Sequence, residues 1–397
     1  MSKRILLGVT GGIAAYKAAD LCSTLVKKGY EIDVIMTKNA CEFIAPLTFS
    51  SLTHRKVYTD TFKDDLEGVI QHIALPQNAD VFMIAPATAN YIAKIANGIA
   101  DDLLTSATLA ATCPVIVAPA MNVHMYENKV TQRNLKQLKE DGIYLVDPAE
   151  GYLACGDTGK GKLASVDDLA DILEMFLHDH PLKGKNVLVS AGPTQEAMDP
   201  VRFISNHSSG KMGYNIARAA RNLGANVTLV SGPTSLKEPI GIKTIHITSA
   251  NDMFEAIKEH MDEQDYIIKA AAVGDYRASE IAENKIKKSG DELTITFQKN
   301  VDILAYIGAH KTKQTVCGFA METENLIENA TEKLKKKNCD MLIANNLRTP
   351  GAGFQGDTNV ITMITKDKTE QFDLMSKEEI GYLILERLMM LKGEETC

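Results

Sequence analysis

The chain has 397 residues, 45% of them hydrophobic and 24% charged, with a formal net charge of −8 and a pI near 5.7. That length exceeds one ordinary core and points to two or three domains of soluble globular type. The acidic balance argues against general nucleic-acid binding, which needs a basic excess, and leaves small anionic ligands open because local geometry holds those.

In chain order, the first half alternates as a parallel sheet should. A strand over 5–9 runs through a glycine turn into a helix over 14–28, then a strand at Glu31–Met36. A helical and loop stretch precedes a buried strand over 79–86 and a helix over 88–96. The half closes with a strand over 114–118, a helix over 132–141, a strand over 144–146 and a helix at Val166–Leu177. Proline, glycine and charge then interrupt the periodicity at 178–185. This predicts a domain at 1–180, a linker at 181–185 and a second domain at 186–397.

The second half alternates again, with strands expected over 187–191, 226–230, 244–248, 266–271, 315–319 and 341–345. Segments 293–298 and 360–365 read as a hairpin or as edge additions. Ser376 and Glu379 have the spacing of a capping box for a last helix over 377–391. The fold class is therefore α/β, two Rossmann-like doubly wound domains whose ligands belong at the carboxyl ends of the strands.

Seven cysteines (Cys22, Cys41, Cys113, Cys155, Cys317, Cys339 and Cys397) are odd in number and irregularly spaced, without C-x-x-C. Neither a disulfide framework nor a structural zinc site is expected, and a reducing, cytoplasmic setting fits. Lys3-Arg4 precede an apolar run, but Gly8, Gly11 and Gly12 interrupt it and it passes into a helix pattern, unlike a secretory signal. The longest uncharged stretch, 103–126, contains Pro114 and Pro119, and no membrane span is expected.

The second half also opens with a strand running into a glycine turn, Asn186-Val-Leu-Val-Ser-Ala-Gly-Pro-Thr194, and two such openings suggest a nicotinamide enzyme, yet neither turn carries G-x-G-x-x-G. The positions for a ribose-binding acid after the second strand of each half read Met36-Thr37 and Val230-Ser231. Both halves fail the test for NAD.

In the first half, Ala85-Pro-Ala-Thr-Ala-Asn90 sets Thr88 and Asn90 at a helix start, and Ala118-Pro-Ala-Met-Asn122 brings a second asparagine to the same sheet edge. Each alone also fits a capped helix after a tight turn. Together they suit an anionic or carbonyl-rich ligand. With Gly11-Gly-Ile-Ala-Ala-Tyr-Lys17, Gln71-His-Ile-Ala-Leu75 and Ala154-Cys-Gly156, in this order, the half resembles the homo-oligomeric flavin-containing cysteine decarboxylases. Over essentially its whole length the chain resembles the bifunctional family of coenzyme A synthesis. That family joins phosphopantothenoylcysteine decarboxylase to phosphopantothenate–cysteine ligase.

The resemblance implies a flavodoxin-like first domain binding FMN through Gly11, Gly12, Thr37, Thr88, Asn90 and Met121. It further implies a redox-assisted decarboxylation, in which oxidation of the thiol-bearing carbon supplies the electron sink for loss of CO2. By the same likeness His72 is the base, Asn122 holds the substrate carboxylate, and Cys155 is the proton donor on a glycine-rich flap over about 150–163. Lys162 stands where relatives often carry arginine, a departure that bears on an anion contact.

In the second half, Arg202-Phe-Ile-Ser-Asn-His-Ser-Ser-Gly-Lys-Met-Gly213 lies in a long loop ending at a helix over 214–223. Ser208, Ser209 and Gly210 there read as a phosphate cradle with Lys211 adding charge, though not as a Walker loop. The competing reading is a serine-capped helix. Asp275 at a strand end suits a metal or ribose, and Lys285–Lys288 either a triphosphate or a solvated hairpin face.

Here the resemblance implies CTP with Mg2+ or Mn2+, an acyl-cytidylate of 4′-phosphopantothenate, and attack on it by the amine of cysteine. Lys285 would stabilise the α-phosphate and Asn206 would hold the intermediate's carbonyl. Gly192, Ser208, Ser209, Gly210, Asp275, Asp302, Ile303, Leu304, Ala305, Phe319, Lys333 and Lys337 would contribute to the nucleotide site. Gly274 replaces a usual alanine, which loosens a turn without removing a contact. Flavin-half trimers and ligase-half dimers imply a homododecamer. Two other readings are a flavin-binding regulatory protein and a chain with one active half. The joint presence of His72, Asn122 and Cys155 and the intact key residues of both halves argue against them.

Overall fold

The computed structural model describes residues 2–62, 69–152, 156–287, 293–322, 326–346, 353 and 356–393. The chain divides into two compact units, Met1–His178 and Asp179–Cys397.

In the first unit, short apolar runs form β1 (Arg4–Val9), β2 (Glu31–Met36), β3 (Val57–Tyr58), β4 (Val81–Ala87), β5 (Val115–Pro119) and β6 (Tyr144–Leu145). They pair in parallel in the order β3-β2-β1-β4-β5-β6. Every residue of β4 is buried, as are all but the first of β1 and β2, because helices cover both faces of the sheet. The order is that of a Rossmann sheet. Without β3, only two residues long, the remaining strands follow the flavodoxin order, so the two descriptions differ by one edge strand.

β7 (Ala149–Tyr152) and β8 (Thr158–Lys162) then form an antiparallel hairpin. The expected flap is thus largely this hairpin. Cys155 lies outside the described residues. The closing helix Val166–Leu177 is fastened at Glu174, which is 4% exposed. Its carboxylate accepts from Lys28 Nζ at 2.9 Å and Tyr30 Oη at 2.8 Å, with His178 Nε2 at 3.3 Å.

The second unit repeats the scheme with β9 (Asn186–Ala191), β10 (Gln195–Ala197), β11 (Phe203–Ser205), β12 (Asn226–Ser231), β13 (Lys243–His246) and β14 (Tyr266–Lys269). There follow β15 (Tyr276–Ala278), β16 (Phe297–Lys299), β17 (Thr315–Glu322), β18 (Met341–Asn346), β19 (Thr358–Asn359), β20 (Ile361–Thr365), β21 (Thr369–Gln371) and β22 (Met375–Ser376). The main sheet runs β13-β12-β9-β14-β17-β18-β20-β21. Its six parallel strands, counted in chain order, again give the Rossmann sequence, and β20 and β21 add antiparallel at one edge.

Alternation along β9 divides the core. Val187, Val189 and Ala191 join the cluster under helices Lys211–Asn222 and Lys377–Lys392. Leu188 joins the opposite one, under Ala250–His260, Ile303–His310 and Leu326–Lys336. Leu182, in the stretch expected to link the halves, is fully buried in the first of these clusters and donates its N–H to the Leu223 carbonyl at 2.9 Å.

Of the alternatives for segments 293–298 and 360–365, edge addition holds for β20, which takes the open edge of β18, while β16 pairs antiparallel with β15. One expectation changes: the stretch before Gly213 is not one long loop, since β10 and β11 form a hairpin across it. Among the described residues Cys22, Cys41, Cys113, Cys317 and Cys339 are free thiols, and no helix is long and apolar enough to cross a membrane.

Candidate active sites

In each unit the strand order reverses between the first and fourth parallel strands, which opens a crevice at their carboxyl ends. In the first unit Thr10 closes the floor of that crevice. Its hydroxyl donates to the Pro86 carbonyl at 2.7 Å and accepts from the Thr88 N–H at 3.0 Å. The turn after β1 is thereby stitched to the turn after β4. Thr88 caps helix Ala89–Ala96 and Thr37 caps helix Lys38–Cys41, so both hydroxyls are held in place.

Above them lies a cavity of about 1000 Å³, at the upper end of the range for small-molecule and cofactor sites. Gly11, Gly12, Thr37, Thr88, Asn90, Met121 and Asn122 all line it. So do Lys17 and Lys162. Burial, and then the nearby Lys162 charge, lower the Lys17 pKa, which marks this corner as suited to an anion.

The β7–β8 hairpin reaches the cavity through Tyr152, Gly161 and Lys162. Gly161 has φ +144°, and an added Cβ would fall 2.4 Å from the Met121 carbonyl oxygen. Only glycine lets its own carbonyl accept from the Met121 N–H at 2.9 Å. That contact holds Met121 and Asn122 on the cavity wall. Asn122 Oδ1 accepts from the His124 N–H at 2.8 Å, and Nδ2 donates to Asp157 Oδ2, also at 2.8 Å. The amide is therefore oriented, with its donor already turned to a carboxylate.

His72 behaves differently. It sits on helix Gln71–Gln77, is half-buried, and is not among the residues lining the cavity.

In the second unit the turns after β9 and β14 are joined. The Ala272 N–H donates to the Gly192 carbonyl at 2.9 Å, and the Thr194 N–H to the Ala272 carbonyl at 3.3 Å. Helix Lys211–Asn222 starts at Gly210 (φ +78°) with no side-chain cap. This removes the serine-capped reading: the Ser208 hydroxyl accepts from the Gly210 N–H at 3.3 Å, ahead of the helix. Close packing draws this helix start onto the sheet, since a Cβ at Gly213 would lie 2.5 Å from that of Ala191.

A cavity of about 110 Å³ results, lined by Ser208, Ser209, Gly210, Lys211 and Phe319, all expected at this site, and by Asn345 and Lys377 besides. Asn345 Oδ1 is buried without a hydrogen-bond partner.

The other expected residues surround this point unevenly. Asn206 Nδ2 donates to the Val273 carbonyl at 3.0 Å, beside the end of β14. Asp275 is exposed and outside the cavity. Lys285 is exposed in an irregular segment, pinned at its neighbour Ile286 by Asp199 Oδ2 (3.1 Å) and Arg202 Nη2 (2.7 Å). Asp302 caps helix Ile303–His310 and pairs with Lys337. Burial pushes the Asp302 carboxyl up, but the Lys337 ammonium and the Ala305 N–H outweigh it and hold it below the usual range. Ile303 and Leu304 are buried in the core, so their side chains are not available to a ligand. Among the described residues no group of three or more His, Cys, Asp or Glu is gathered for a metal.

Sequence reasoning passed over Lys269 and Lys377. Lys269 ends β14, is partly exposed along its length, and donates to the Ala271 carbonyl at 3.0 Å. Its pKa is pushed down to about 8, by burial of the ammonium and by Lys333, against the opposing pull of Asp302 and Asp275. Its signal was a cation closing the apolar run Tyr266-Ile-Ile at the ligand edge of the sheet. Lys377 had a fainter one, a lysine at the first position of a helix, where the macrodipole disfavours it.

Comparison with known proteins assigns the same two parts. Residues 1–178 match the Flavoprotein family, and residues 182–391 match the DNA/pantothenate metabolism flavoprotein C-terminal domain. The coenzyme A biosynthesis bifunctional protein CoaBC of Bacillus subtilis (strain 168) is 46% identical over 398 residues, covering 99% of this chain and 98% of that protein. Its Escherichia coli (strain K12) counterpart is 42% identical over 398 residues, with coverage of 99% and 98%. The crystal structure of the C-terminal domain of a CoaBC protein superposes with a TM-score of 0.48 at 42% identity, covering 55% of this chain and 100% of that one. The chain belongs to the family of bifunctional coenzyme A biosynthesis flavoproteins, with a Flavoprotein part followed by a DNA/pantothenate metabolism flavoprotein C-terminal part.

Proposed function

We propose that this chain catalyses two consecutive steps of coenzyme A synthesis, the second unit forming 4′-phosphopantothenoylcysteine and the first decarboxylating it. The observation that carries the reading is the match of each unit to one half of the bifunctional family, with a cavity at the strand-order reversal of each.

FMN fits the first cavity. Its volume suits a cofactor, small residues line the turn after β1, and hydroxyl and amide groups of Thr37, Thr88 and Asn90 ring it, with Lys17 and Lys162 for an anionic group. When bound, FMN supplies the two-electron chemistry that lets the cysteine carboxylate leave as CO2. Asn122 holds that carboxylate through its amide, and Cys155 returns a proton to the product. His72, the base, comes from a neighbouring copy of the chain. Exposed Val69 and Ile70 beside it give that copy an apolar contact, consistent with flavin-half trimers. Together with ligase-half dimers, these make a homododecamer.

In the second unit, the carboxylate of 4′-phosphopantothenate attacks the α-phosphate of CTP, displacing pyrophosphate. The cysteine amine then attacks the acyl-cytidylate, forming the amide and releasing CMP. The turn at Ser208, Ser209 and Gly210 receives phosphate, Lys285 closes over the α-phosphate, and Asn206 holds the acyl carbonyl. Mg2+ would be carried by the triphosphate, which it would help to neutralise, and Asp275 would help to hold it.

The purified protein should carry the absorption bands of an oxidised flavin, and the two half-reactions should be separable by omitting CTP or supplying the acylcysteine. A colourless protein that binds no added FMN would overturn the assignment of the first unit. Cys155→Ser should halt after CO2 release, and normal thiol product from that variant would remove Cys155 from the mechanism.

A further inference from the structure

The second unit holds a buried carboxylate that the reading above leaves unused. Asp199 is 2% exposed, and enclosing an ionised carboxylate is costly unless hydrogen bonds replace its water. The local sequence explains half of that replacement. In Asp199-Pro-Val-Arg202 the aspartate opens a proline turn between β10 and β11, and its Oδ1 accepts from the N–H groups of Val201 and Arg202, both at 2.8 Å. The Met198 N–H closes the turn on the Arg202 carbonyl, also at 2.8 Å.

The turn needs only that one oxygen. The other, Oδ2, accepts from the N–H of Ile286, 87 positions along the chain, at 3.1 Å, with Arg202 Nε 3.6 Å away. Arg202 completes the clasp, its Nη2 donating to the Ile286 carbonyl at 2.7 Å. On the near side of Lys285, the Ala282 N–H donates to the Met198 carbonyl at 3.0 Å. Lys285 therefore lies between two fastened residues, in a stretch (279–287) that forms neither helix nor strand. Burial pushes the Asp199 carboxyl up, but the Val201, Ile286 and Arg202 N–H groups outweigh it and keep it ionised. The hairpin's second strand, β11, runs directly into Asn206. One turn thus relates the residue assigned to the α-phosphate to the residue assigned to the acyl carbonyl.

We propose that Asp199 is a positioning residue for acyl-cytidylate formation, its carboxylate holding the backbone at Ile286 so that Lys285 is set for the α-phosphate before the substrates arrive. The proposal rests on the CTP reading of this unit and on the role of Lys285 within it. The alternative is that Asp199 only closes its own turn, for which Oδ1 suffices.

Asp199→Asn keeps an oxygen for the turn and sets an NH2 group against the Ile286 N–H, where neither can accept. Pyrophosphate release by the full chain from CTP and 4′-phosphopantothenate, with cysteine omitted, reads the first half-reaction. Its single-turnover rate should fall about tenfold or more, with the CTP concentration for half-maximal rate within about threefold of the parent, because a reacting group displaced by about 1 Å costs rate more than binding. Decarboxylation by the first unit should be unchanged. In a Lys285→Gln background, adding Asp199→Asn should slow release by less than about threefold, since its effect passes through Lys285. A fall of less than about tenfold in the parent background, or of about threefold or more in the Lys285→Gln background, overturns the proposal. If the asparagine variant does not fold, amide hydrogen exchange in the unaltered chain decides. An Ile286 N–H slowed about tenfold or more against an unbonded amide supports the clasp, and faster exchange overturns it. Unchanged release by Lys285→Gln alone, or none by the unaltered chain, would instead sink the reading on which the proposal rests.

Discussion

Lys269 offers a test in which stability and binding should move in opposite directions. Its ammonium is enclosed at the end of β14 and its pKa lies at about 8 against an ordinary 10.5. The sign follows from that depression. The charged form is disfavoured in the fold, so the penalty is complete below about pH 8 and is relieved as pH rises from there to about 10.5. A difference of roughly 2.5 units corresponds to about 3 kcal/mol at neutral pH, an upper bound because part of the side chain reaches solvent. Lys269→Met removes the charge and forfeits one hydrogen bond to the Ala271 carbonyl, for about 1 kcal/mol. The variant should therefore be more stable at pH 7 by about 1–2 kcal/mol, and the gain should vanish near pH 10.

Urea denaturation of the intact chain at the two pH values measures this, each unit's transition being followed separately. On the proposed nucleotide reading the same variant should bind CTP more weakly, since an anionic nucleotide near Lys269 would supply the missing counter-charge. For the same reason CTP binding to the parent chain should take up a fraction of a proton near pH 9 and none from this group at pH 6.5. Calorimetry in buffers of different ionisation enthalpy reads that number. Destabilisation of Lys269→Met at pH 7, or an equal gain at pH 7 and 10, would refute the reasoning.

Other expectations are independent of that site. Burial pushes Glu174 up, but bonds from His178, Lys28 and Tyr30 bring its pKa down to about 2, so its contribution is present above about pH 4.5 and lost as pH falls toward 2. Glu174→Gln should destabilise the first unit by about 2–3 kcal/mol at pH 7, with the difference from the parent shrinking in acid; a pH-independent difference would show that charge is not the cause. Gly161→Ala drives a Cβ against the Met121 carbonyl and should lower the flavin-to-protein ratio. Gly151→Ala shares the positive φ but has open space, and should retain flavin. Asn122→Asp sets a second carboxylate against Asp157 and should cut decarboxylation by about 100-fold or more, with the ligase half-reaction unchanged. An unchanged decarboxylation rate would remove Asn122 from the substrate's carboxylate site.

Both sheets were legible because their central strands are buried on both faces, and a doubly covered strand reads as a continuous apolar run ending in a turn. Polar residues at the ends of those runs, Thr88, Asn90 and Asn122, stood out for the same reason, and they line one cavity. Pairing was less legible. Alternation over 293–298 and 360–365 says that a segment is extended but not which edge it will join, and β16 and β20 found different partners. The resemblance placed Ile303 and Leu304 at the nucleotide, whereas their apolar side chains had a stronger claim on the core.

Charge was the least legible feature, and the reason is physical. A lysine at the end of an apolar run ordinarily marks where the run meets water. Lys269 and Lys377 stand at such boundaries, yet three-dimensional closure of neighbouring turns encloses their ammonium groups. Sequence spacing does not carry that closure, because groups involved in it lie apart in the chain: Asp302 and Lys333 near Lys269, Gly353 and Gly356 bonded to Lys377. An ammonium enclosed at a strand end contributes poorly to stability, which accords with the anionic nucleotide proposed for the second unit. Lys269, hardly visible in the sequence, is thus a residue whose removal tests that proposal.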